Sequence, residues 1–398
     1  MNAGLFEKEN PRNAIHGDGY SDINTYSAAM FFKDSGYTKS CFLPMFYYAD
    51  NKGIHPEPAI YTHYPAVPDI LAGSYAKLFD TRSEKTLRLS PVMLSLLFFL
   101  IIFYALQQII PEKKSALISS LVIVLSNYFI FWGDNLHKHL YEELLKWLYT
   151  IGLWNYYRNA RYNKWLLAGL AICYVIETNV SFEPVVYLAI VTVGIGYIHT
   201  RRLLLPENLL LLLMPVAGFA IHLYQNYCWF GSWPIVINDF KDAAVLRTKG
   251  GNDIRNELQR NIQFKDFLNI PFIFLNRIER FFLFPGYAML IFGYLAWQQW
   301  KNQPQLRQLM LVLLIATLSW SVLMTQHFTV HAFTGRHAGL LYALIIGTGL
   351  MAYEQLFRKH ISEKKITYML LHVLFIGYNL VMLISQQVLD IFKYGFLL

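Results

Sequence analysis

Long apolar runs separated by short charged connections fill most of the chain after residue 89. A membrane-spanning helix needs about 20 mostly apolar residues, so each run is a candidate span. The ten runs cover roughly residues 90–110, 116–132, 140–157, 165–178, 184–199, 208–225, 282–299, 307–325, 338–355 and 366–388. Of the 398 residues 55% are hydrophobic and only 15% are charged, a balance outside the range of soluble domains. The sequence therefore predicts an all-α polytopic membrane protein with about ten transmembrane helices.

Basic residues collect in alternate connections, and this pattern predicts the orientation. One set of connections holds 13 of them: Lys113, Lys114, Arg158, Arg161, Lys164, Arg201, Arg202, Lys301, Arg307, Arg358, Lys359, Lys364 and Lys365. The short connections between them hold Lys138 and Arg336. By the positive-inside rule the first set is cytoplasmic. The segment 226–281 carries eight Lys and Arg but is long, so we assign it to the outside. Bilayer topology thus explains the net charge of +8, and no nucleic-acid partner is predicted.

The three cysteines, Cys41, Cys173 and Cys228, are too few and too scattered to predict a disulfide framework or a zinc site. Cys41 and Cys228 are able to pair only if they share a compartment. The sequence favours unpaired cysteines over this pair.

Residues 1–89 form an external region in this topology, and residues 90–398 form the transmembrane bundle. Two short amphipathic helices are predicted in the external region. The first spans about 22–36, with Asp22 or Ser21 as its N-cap and Gly36 as its stop; the second spans about 65–79 and has prolines in its first turn. The first 20 residues contain no apolar run able to export this region. We therefore expect that the chain is an N-terminally truncated form of a protein with one more transmembrane helix.

Three motifs resemble those of the GT-C superfamily, the membrane glycosyltransferases that use polyprenyl-phosphate sugars. The motifs are GDGYSDINTYSAAMFFKDSG at residues 17–36, YTHYPAVPDILAG at 61–73 and QHFTVHAFTGRHAG at 326–339. They look most similar to the bacterial ArnT and protein-mannosyltransferase branch. In that family a transmembrane helix precedes the acidic loop, and this sequence departs from the pattern there.

The resemblance implies a GT-C-like bundle and an inverting transfer of a hexosyl or pentosyl group from a polyprenyl-phosphate donor. The acceptor would be a lipid, a glycan or a protein on the outer side of a bacterial cytoplasmic membrane. A carboxylate would take the acceptor's proton, and Asp22 is the first choice, with Asp18 second. Asp22 as a simple N-cap and Asp18 as a turn residue are the alternatives. No cofactor is firmly predicted, although a divalent cation is possible.

Further residues are candidates for substrate binding. Guanidinium binds phosphate through paired hydrogen bonds, so Arg336 is the candidate for the lipid phosphate; an anchoring charge at a helix end is its alternative. Glu142 is favoured as a second acidic residue of the site, against a solvated helix start. The remaining candidates are His327, His331, His63 and Tyr26. His327 and His331 lie four residues apart, and a polar lining is favoured over a metal pair.

Two other classes of protein remain as alternatives. A transporter would show corresponding half-chains and charge buried along a path, and the two halves show no such correspondence. A non-catalytic assembly protein with the same fold would be separated from an enzyme only by an activity assay.

Overall fold

The computed structural model describes residues 19–48, 58–110, 112–159, 163–249, 264–282 and 286–360, and the single positions 373, 377 and 381. Most of these residues are helical. The α-helices are α1 Gly19–Ser35, α2 Val67–Leu78, α3 Glu84–Ile109, α4 Lys113–Val124, α5 Asn127–Trp132, α6 His139–Asn159, α7 Lys164–Val180, α8 Pro184–Thr200, α9 Pro206–Phe230, α10 Trp233–Lys249, α11 Phe264–Phe281, α12 Gly286–Gln299, α13 Pro304–Leu323, α14 Thr325–Val330 and α15 Gly339–His360. Short 3₁₀ helices cover Thr38–Ser40, Trp300–Asn302 and Ala332–Ala338. Strands β1 (Met45–Phe46) and β2 (Ala59–Ile60) pair antiparallel.

The protein is an integral membrane protein. Four of the described stretches are long and apolar enough to cross a membrane: Glu84–Ile109, Pro206–Phe230, Pro304–Leu323 and Phe333–Leu356. The last of these runs from a 3₁₀ helix into α15, and α8 is a shorter apolar helix. The count of about ten spans stays a prediction, and its last run, 366–388, lies almost wholly outside the described residues.

The run at 116–132 is not one helix. It divides into α4 and α5, and neither is long enough to span a bilayer. The break falls at Leu125–Ser126, where the Ser126 hydroxyl accepts the Phe129 N–H and caps a new helix. The prediction of a single span here is wrong. The residues on both sides of Leu125–Ser126 are apolar, so the composition of the run does not show that one helix ends and another begins there.

The two predicted N-terminal helices are present as α1 and α2. Helix α1 ends at Ser35, since Gly36 adopts a left-handed conformation with φ +82°. The two helices pack closely through Gly73, where an added Cβ would lie 2.8 Å from the Cβ of Phe32. Helix α1 extends back to Gly19, so Asp22 lies in its first turn. The expected N-cap role of Asp22 or Ser21 is therefore wrong.

Contacts at one end of the bundle join the connections that hold most of the basic residues. Arg158 Nη1 donates to the Gln108 carbonyl at 2.9 Å, and Arg201 Nη1 donates to Gln308 Oε1 at 3.1 Å. Each of these four residues lies in or next to a connection that the charge pattern assigns to one side of the membrane. The other set of connections meets at the opposite end, where Glu183 pairs with both Lys138 and Arg336. Which end faces the cytoplasm stays a prediction.

The apolar core lies between these two ends. Helix α15 packs against α12 and α4, α8 against α13 and α6, and α7 against α9. Large buried side chains such as Trp147 and Tyr187 fill the interior together with aliphatic residues. The starts of α3 and α6 and the 3₁₀ helix Ala332–Ala338 supply buried charged residues of the site.

Candidate functional site

Charged residues, most of them buried, gather at the second end of the bundle in two clusters. The Asp22 cluster consists of Asp22, Arg88, Asp134 and Glu84. The Arg336 cluster consists of Arg336, Glu142, Glu143, Glu183, Lys138, Lys146 and His337. The segment 134–139, with the sequence DNLHKH, connects them because Asp134 belongs to the first and Lys138 to the second.

The Asp22 cluster is an ion-paired network between α1, α3 and the connection from α5 to α6. The Arg88 guanidinium pairs through Nη2 with Asp22 Oδ2, and their side chains are 1% and 0% exposed. Asp22 Oδ1 accepts the Leu136 N–H at 2.8 Å. Arg88 Nε also donates to Glu84 Oε1 at 2.9 Å, and Nη1 donates to the Asp134 carbonyl at 3.2 Å. Both Asp22 oxygens are therefore engaged inside the protein.

This environment differs from the one that the sequence predicted for Asp22. A general base was expected near the membrane surface, but the carboxylate is buried against a guanidinium. Buried ion pairs hold only when their geometry offsets the cost of desolvation. As a base, Asp22 would take a proton while its carboxylate is already bound by Arg88 and by the Leu136 N–H. Asp18, the second choice, lies outside the described residues.

A second layer of polar groups surrounds this cluster. The Thr25 hydroxyl and His137 Nδ1 lie 3.0 Å apart, and the Tyr64 ring meets the His137 ring edge-on at 4.9 Å. Burial lowers the pKa of His137 to about 3, with a smaller contribution from Lys138. Burial also raises the pKa of the Asp69 carboxyl to about 7. His137 is therefore neutral at pH 7, and Asp69 is near its midpoint.

The Arg336 cluster is held by one guanidinium with two carboxylates. Arg336 Nη2 donates to Glu142 Oε2 at 2.6 Å and to Glu183 Oε2 at 2.5 Å, while Nε donates to Glu142 Oε1 at 3.2 Å. Nη1 donates to the Phe333 carbonyl at 3.1 Å. The side chain is 0% exposed. The 3₁₀ helix Ala332–Ala338, the start of α6 and the turn between α7 and α8 supply these groups.

These contacts correct two expectations. Arg336 was expected to bind the lipid phosphate, yet its guanidinium already binds the carboxylates of Glu142 and Glu183, so a phosphate would have to displace them. Glu142 is buried, which excludes the solvated helix start. The role of Arg336 in phosphate binding stays a prediction that its surroundings do not favour.

Lysines complete the Arg336 cluster. Lys146 Nζ pairs with Glu143 Oε1 and lies 3.1 Å from His337 Nδ1. Lys138 Nζ pairs with Glu183 Oε1 and donates to the Ser181 hydroxyl at 3.3 Å. Burial tends to raise the pKa of Glu183, but Arg336 and Lys138 outweigh it and hold that pKa well below its usual range. These two cations thus favour the ionised form of Glu183.

A divalent cation fits the Arg336 cluster only in part. Glu142, Glu183 and His337 each offer a ligand atom within 4.8 Å of the others, and carboxylate and imidazole are common ligands. Arg336 Nη2, however, already binds an Oε2 atom of each glutamate. A cation would have to replace the guanidinium, so no chemical step is assigned to a metal here.

His327 and His331 share a face, as their spacing predicts. Their ring centroids lie 4.4 Å apart. His327 Nδ1 accepts the Trp320 N–H at 3.2 Å, and its Nε2 lies 3.9 Å from Glu183 Oε1. His331 is exposed. The pair therefore lies at the rim of the Arg336 cluster and reaches solvent.

His63 and Tyr26 each form a polar contact with a segment distant in sequence. His63 Nε2 lies 2.8 Å from Asp239 Oδ1, and Thr62 donates to the other oxygen of Asp239 at 2.7 Å. The segment between β2 and α2 is thereby attached to α10. The Tyr26 hydroxyl donates to the Arg82 carbonyl at 2.8 Å, in the connection between α2 and α3. Substrate contact by either residue stays a prediction.

Sequence reasoning missed several residues of the site. Asp134, His137 and His139 lie in DNLHKH, of which only Lys138 was noted, as a charge. The density of acid, amide and imidazole in one connection between apolar runs was the available signal. Arg88 and Lys146 gave no such signal, because each lies inside a helix and its partners include residues distant in sequence.

The fold is similar to that of an archaeal oligosaccharyltransferase. The structure of the Archaeoglobus fulgidus enzyme in its apo form aligns with a TM-score of 0.51 and 13% identity, covering 92% of this chain and 52% of that one. The same protein with an inhibitory peptide and a dolichol-phosphate gives 0.46 and 13%, covering 82% and 48%. Its complex with Zn and sulfate gives 0.46 and 14%, covering 84% and 45%. The chain thus spans about half the length of these structures.

These similarities concern the fold. They do not confirm the ArnT or protein-mannosyltransferase branch to which the motifs look most similar. No protein-family model and no curated protein matches the chain.

Proposed function

We propose that the protein is a membrane glycosyltransferase that moves a sugar from a polyprenyl-phosphate-linked donor to a lipid, glycan or protein acceptor. The reaction would take place at the end of the bundle that carries the two charged clusters. On the predicted topology this end faces the outer side of a bacterial cytoplasmic membrane.

The observation that carries the proposal is the convergence of four separate segments in a fold of this type. The start of α1, the segment 134–139, the turn at Ser181–Glu183 and the stretch 327–337 meet through Asp22, Lys138 and Arg336. Charged residues in the bundle of a membrane protein are costly and mark functional sites. A GT-C-like fold supports glycosyl transfer as the chemistry, by analogy of fold.

Asp22 is the proposed general base. The acceptor hydroxyl or amide would attack the anomeric carbon, its proton would pass to Asp22, and the lipid phosphate would leave from the opposite face with inversion. Acceptor binding would replace the bond between Arg88 and Asp22 Oδ2. Arg88 would keep Glu84 as a partner, because Glu84 Oε1 accepts from Nε independently of Asp22. Release of Asp22 therefore need not leave a buried guanidinium without a carboxylate.

The donor phosphate is proposed to bind at the rim. Lys138, His327 and His331 are the cationic or hydrogen-bonding side chains there with exposed surface, whereas Arg336 is enclosed. Arg336 would then position Glu183, which in turn holds Lys138 toward the rim. Donors placed where negative charge develops on the leaving phosphate lower the barrier.

A non-catalytic role is the second candidate, and it is favoured by the complete engagement of Asp22 by Arg88 and Leu136. Reconstitution separates the two candidates. The purified chain in liposomes is given polyprenyl-phosphate sugars with a labelled sugar, and release of polyprenyl phosphate is followed with and without candidate acceptors. Protein-dependent transfer of the labelled sugar, or slow protein-dependent hydrolysis of the donor, supports the enzymatic function. Specific binding of polyprenyl phosphate with no turnover of any donor sugar supports the non-catalytic role.

A further inference from the structure

Helix α11 is bound to the stretch 327–337 through one arginine. Arg277 Nη1 donates to the Thr334 hydroxyl at 2.7 Å, and its Nη2 donates to the Thr329 carbonyl at 3.1 Å. The same guanidinium lies 4.2 Å from the centre of the Phe328 ring, within the range of a cation–π contact. Arg277 is buried, so these contacts are shielded from water. The position of the stretch is therefore tied to that of α11.

The two segments approach most closely at Gly335, one residue before Arg336. A Cβ added at Gly335 would lie 2.9 Å from Phe281 Cδ2 and 3.0 Å from Arg277 Cβ. Such short contacts leave no room for a side chain. The backbone of the 3₁₀ helix Ala332–Ala338 is therefore packed directly against α11.

Helix α11 presents three different surfaces. Its inner face is buried and belongs largely to the main apolar core: Ile270, Phe274, Arg277, Ile278 and Phe281. The second surface, the apolar edge, is exposed and consists of Phe264, Phe267, Leu268 and Phe272. The third surface, the polar edge, is also exposed and consists of Lys265, Asn269 and Asn276. On the apolar edge the exposed fraction reaches 78% at Phe264 and 73% at Phe272.

Neither water nor the bilayer core alone suits these three surfaces. Neighbouring exposed phenylalanine and leucine side chains form an apolar patch of the kind that marks an interaction surface. A helix wholly in hydrocarbon, in contrast, would carry Lys265, Asn269 and Asn276 into lipid at a cost. A helix at the membrane–water boundary satisfies both requirements, with its apolar edge toward the acyl chains and its polar edge toward water.

The spanning helices fix the depth of α11. One candidate span, Pro304–Leu323, ends next to α14, and another, Phe333–Leu356, begins in the 3₁₀ helix Ala332–Ala338. Helix α11 contacts α13, α14 and this 3₁₀ helix. The ends of two spans mark a membrane boundary, so α11 lies at that boundary.

We propose that α11 is a membrane-surface helix whose apolar edge binds the acyl chains of the leaflet at the end of the bundle that carries the two charged clusters. This lipid contact holds the stretch 327–337 in place through the inner face of α11. The partner is the bilayer rather than a second copy of the chain, because a polar edge adjoins the apolar edge and the helix lies where two spans end. The proposal does not depend on glycosyl transfer, and it holds for either orientation of the chain in the membrane.

Nitroxide spin labels test the lipid contact. Single cysteines are placed at Leu268 or Phe272 and, as matched controls, at Asn269 or Asn276, in a full-length chain whose three native cysteines are replaced by serine. In liposomes the labels at Leu268→Cys and Phe272→Cys should relax faster with oxygen, which dissolves in lipid, than with a water-soluble nickel complex. The labels at Asn269→Cys and Asn276→Cys should show the reverse order. Melting temperatures in detergent confirm that each labelled chain is folded.

Two outcomes of this measurement would overturn the proposal. Faster relaxation with the nickel complex at Leu268 and Phe272 would place the apolar edge in water. Poor access of both reagents would show that protein covers the edge, and dipolar coupling between labels on separate chains would identify a second copy as the cover.

Hydrogen exchange tests whether the lipid contact holds the stretch 327–337. The double variant Leu268→Ser and Phe272→Ser changes only side chains that are exposed on the protein, so it should fold in detergent. In liposomes the backbone amides of the stretch should exchange at least about tenfold faster in this variant than in wild type, because apolar burial against lipid is lost. Asn269→Ser, on the polar edge, should stay within about twofold of wild type. Unchanged exchange in the folded double variant would overturn the proposal, and none of these outcomes bears on whether the protein transfers a sugar.

Discussion

Arg88 and Asp22 form a buried ion pair that joins the N-terminal parts of α3 and α1, with side chains 1% and 0% exposed. Removing one partner of such a pair leaves an uncompensated charge in the interior. Arg88→Gln should therefore lower the free energy of unfolding by about 3–5 kcal/mol, measured by thermal or denaturant unfolding in detergent.

A second arginine in the same region provides the matched control. Arg82 pairs with Asp34 at 2.5 Å, but its side chain is 61% exposed. Arg82→Gln should cost less than about 1 kcal/mol, because exposed ion pairs contribute little. Equal losses of stability in the two variants would contradict the buried network around Asp22.

Two buried glutamates, Glu183 and Glu177, should lose very different amounts of stability on neutralisation. Glu183 holds both Arg336 and Lys138, so Glu183→Gln should cost about 3–5 kcal/mol. The oxygens of Glu177 are buried without a hydrogen-bond partner among the described residues, so Glu177→Gln removes no ion pair and should change stability by less than about 1 kcal/mol. Melting temperatures of the two purified variants test this. A larger loss of stability in Glu177→Gln than in Glu183→Gln would contradict the ion pair between Arg336 and Glu183.

Asp69 and His137 should impose opposite pH dependences on stability. The folded pKa of His137 is about 3, below its usual 6.5, so the unfolded chain binds the extra proton and stability falls as pH drops through that window. The folded pKa of Asp69 is about 7, above its usual 3.8, so the folded chain binds the extra proton and stability falls as pH rises through its window. Between pH 3.8 and 6.5 the two slopes oppose each other.

Single variants should separate these two slopes. In Asp69→Asn only the His137 contribution remains, and stability should rise with pH from 4 to 6.5 by up to about 1.4 kcal/mol per unit relative to wild type. In His137→Phe the change should have the opposite sign. Unfolding curves at a series of pH values measure both, and parallel profiles in the two variants would show that these groups do not titrate as their burial implies.

The sequence predicted the positions of α1 and α2 because local signals mark them. Gly36 ends the first helix, and Pro68 lies in the first turn of the second. The break at Ser126 was missed because one serine in an apolar run carries little signal. Local pattern therefore located helices better than it located their ends.

The site was harder to predict because its partners are distant in sequence. Arg336 and Glu183 are 153 residues apart, and Leu136 and Asp22 are 114 apart. The sequence pointed to Asp22, Glu142 and Arg336 as site residues. No pattern in one sequence, however, shows that Arg88 neutralises Asp22 or that Arg336 binds Glu142. Packing of α3 and α6 against their neighbours creates these pairs, so only the fold reveals them.

The most direct test of the account is the rate of sugar transfer by Asp22→Asn in liposomes, with Asp80→Asn as the control. Asp80 is a surface acid with a 95% exposed side chain. Because Asp22→Asn also removes a partner of Arg88, rates are normalised to the folded fraction at a temperature well below the melting point of each variant. The account predicts that Asp22→Asn loses at least about 100-fold in rate, while Asp80→Asn stays within about twofold of wild type. A folded Asp22→Asn protein that transfers sugar at the wild-type rate would contradict it.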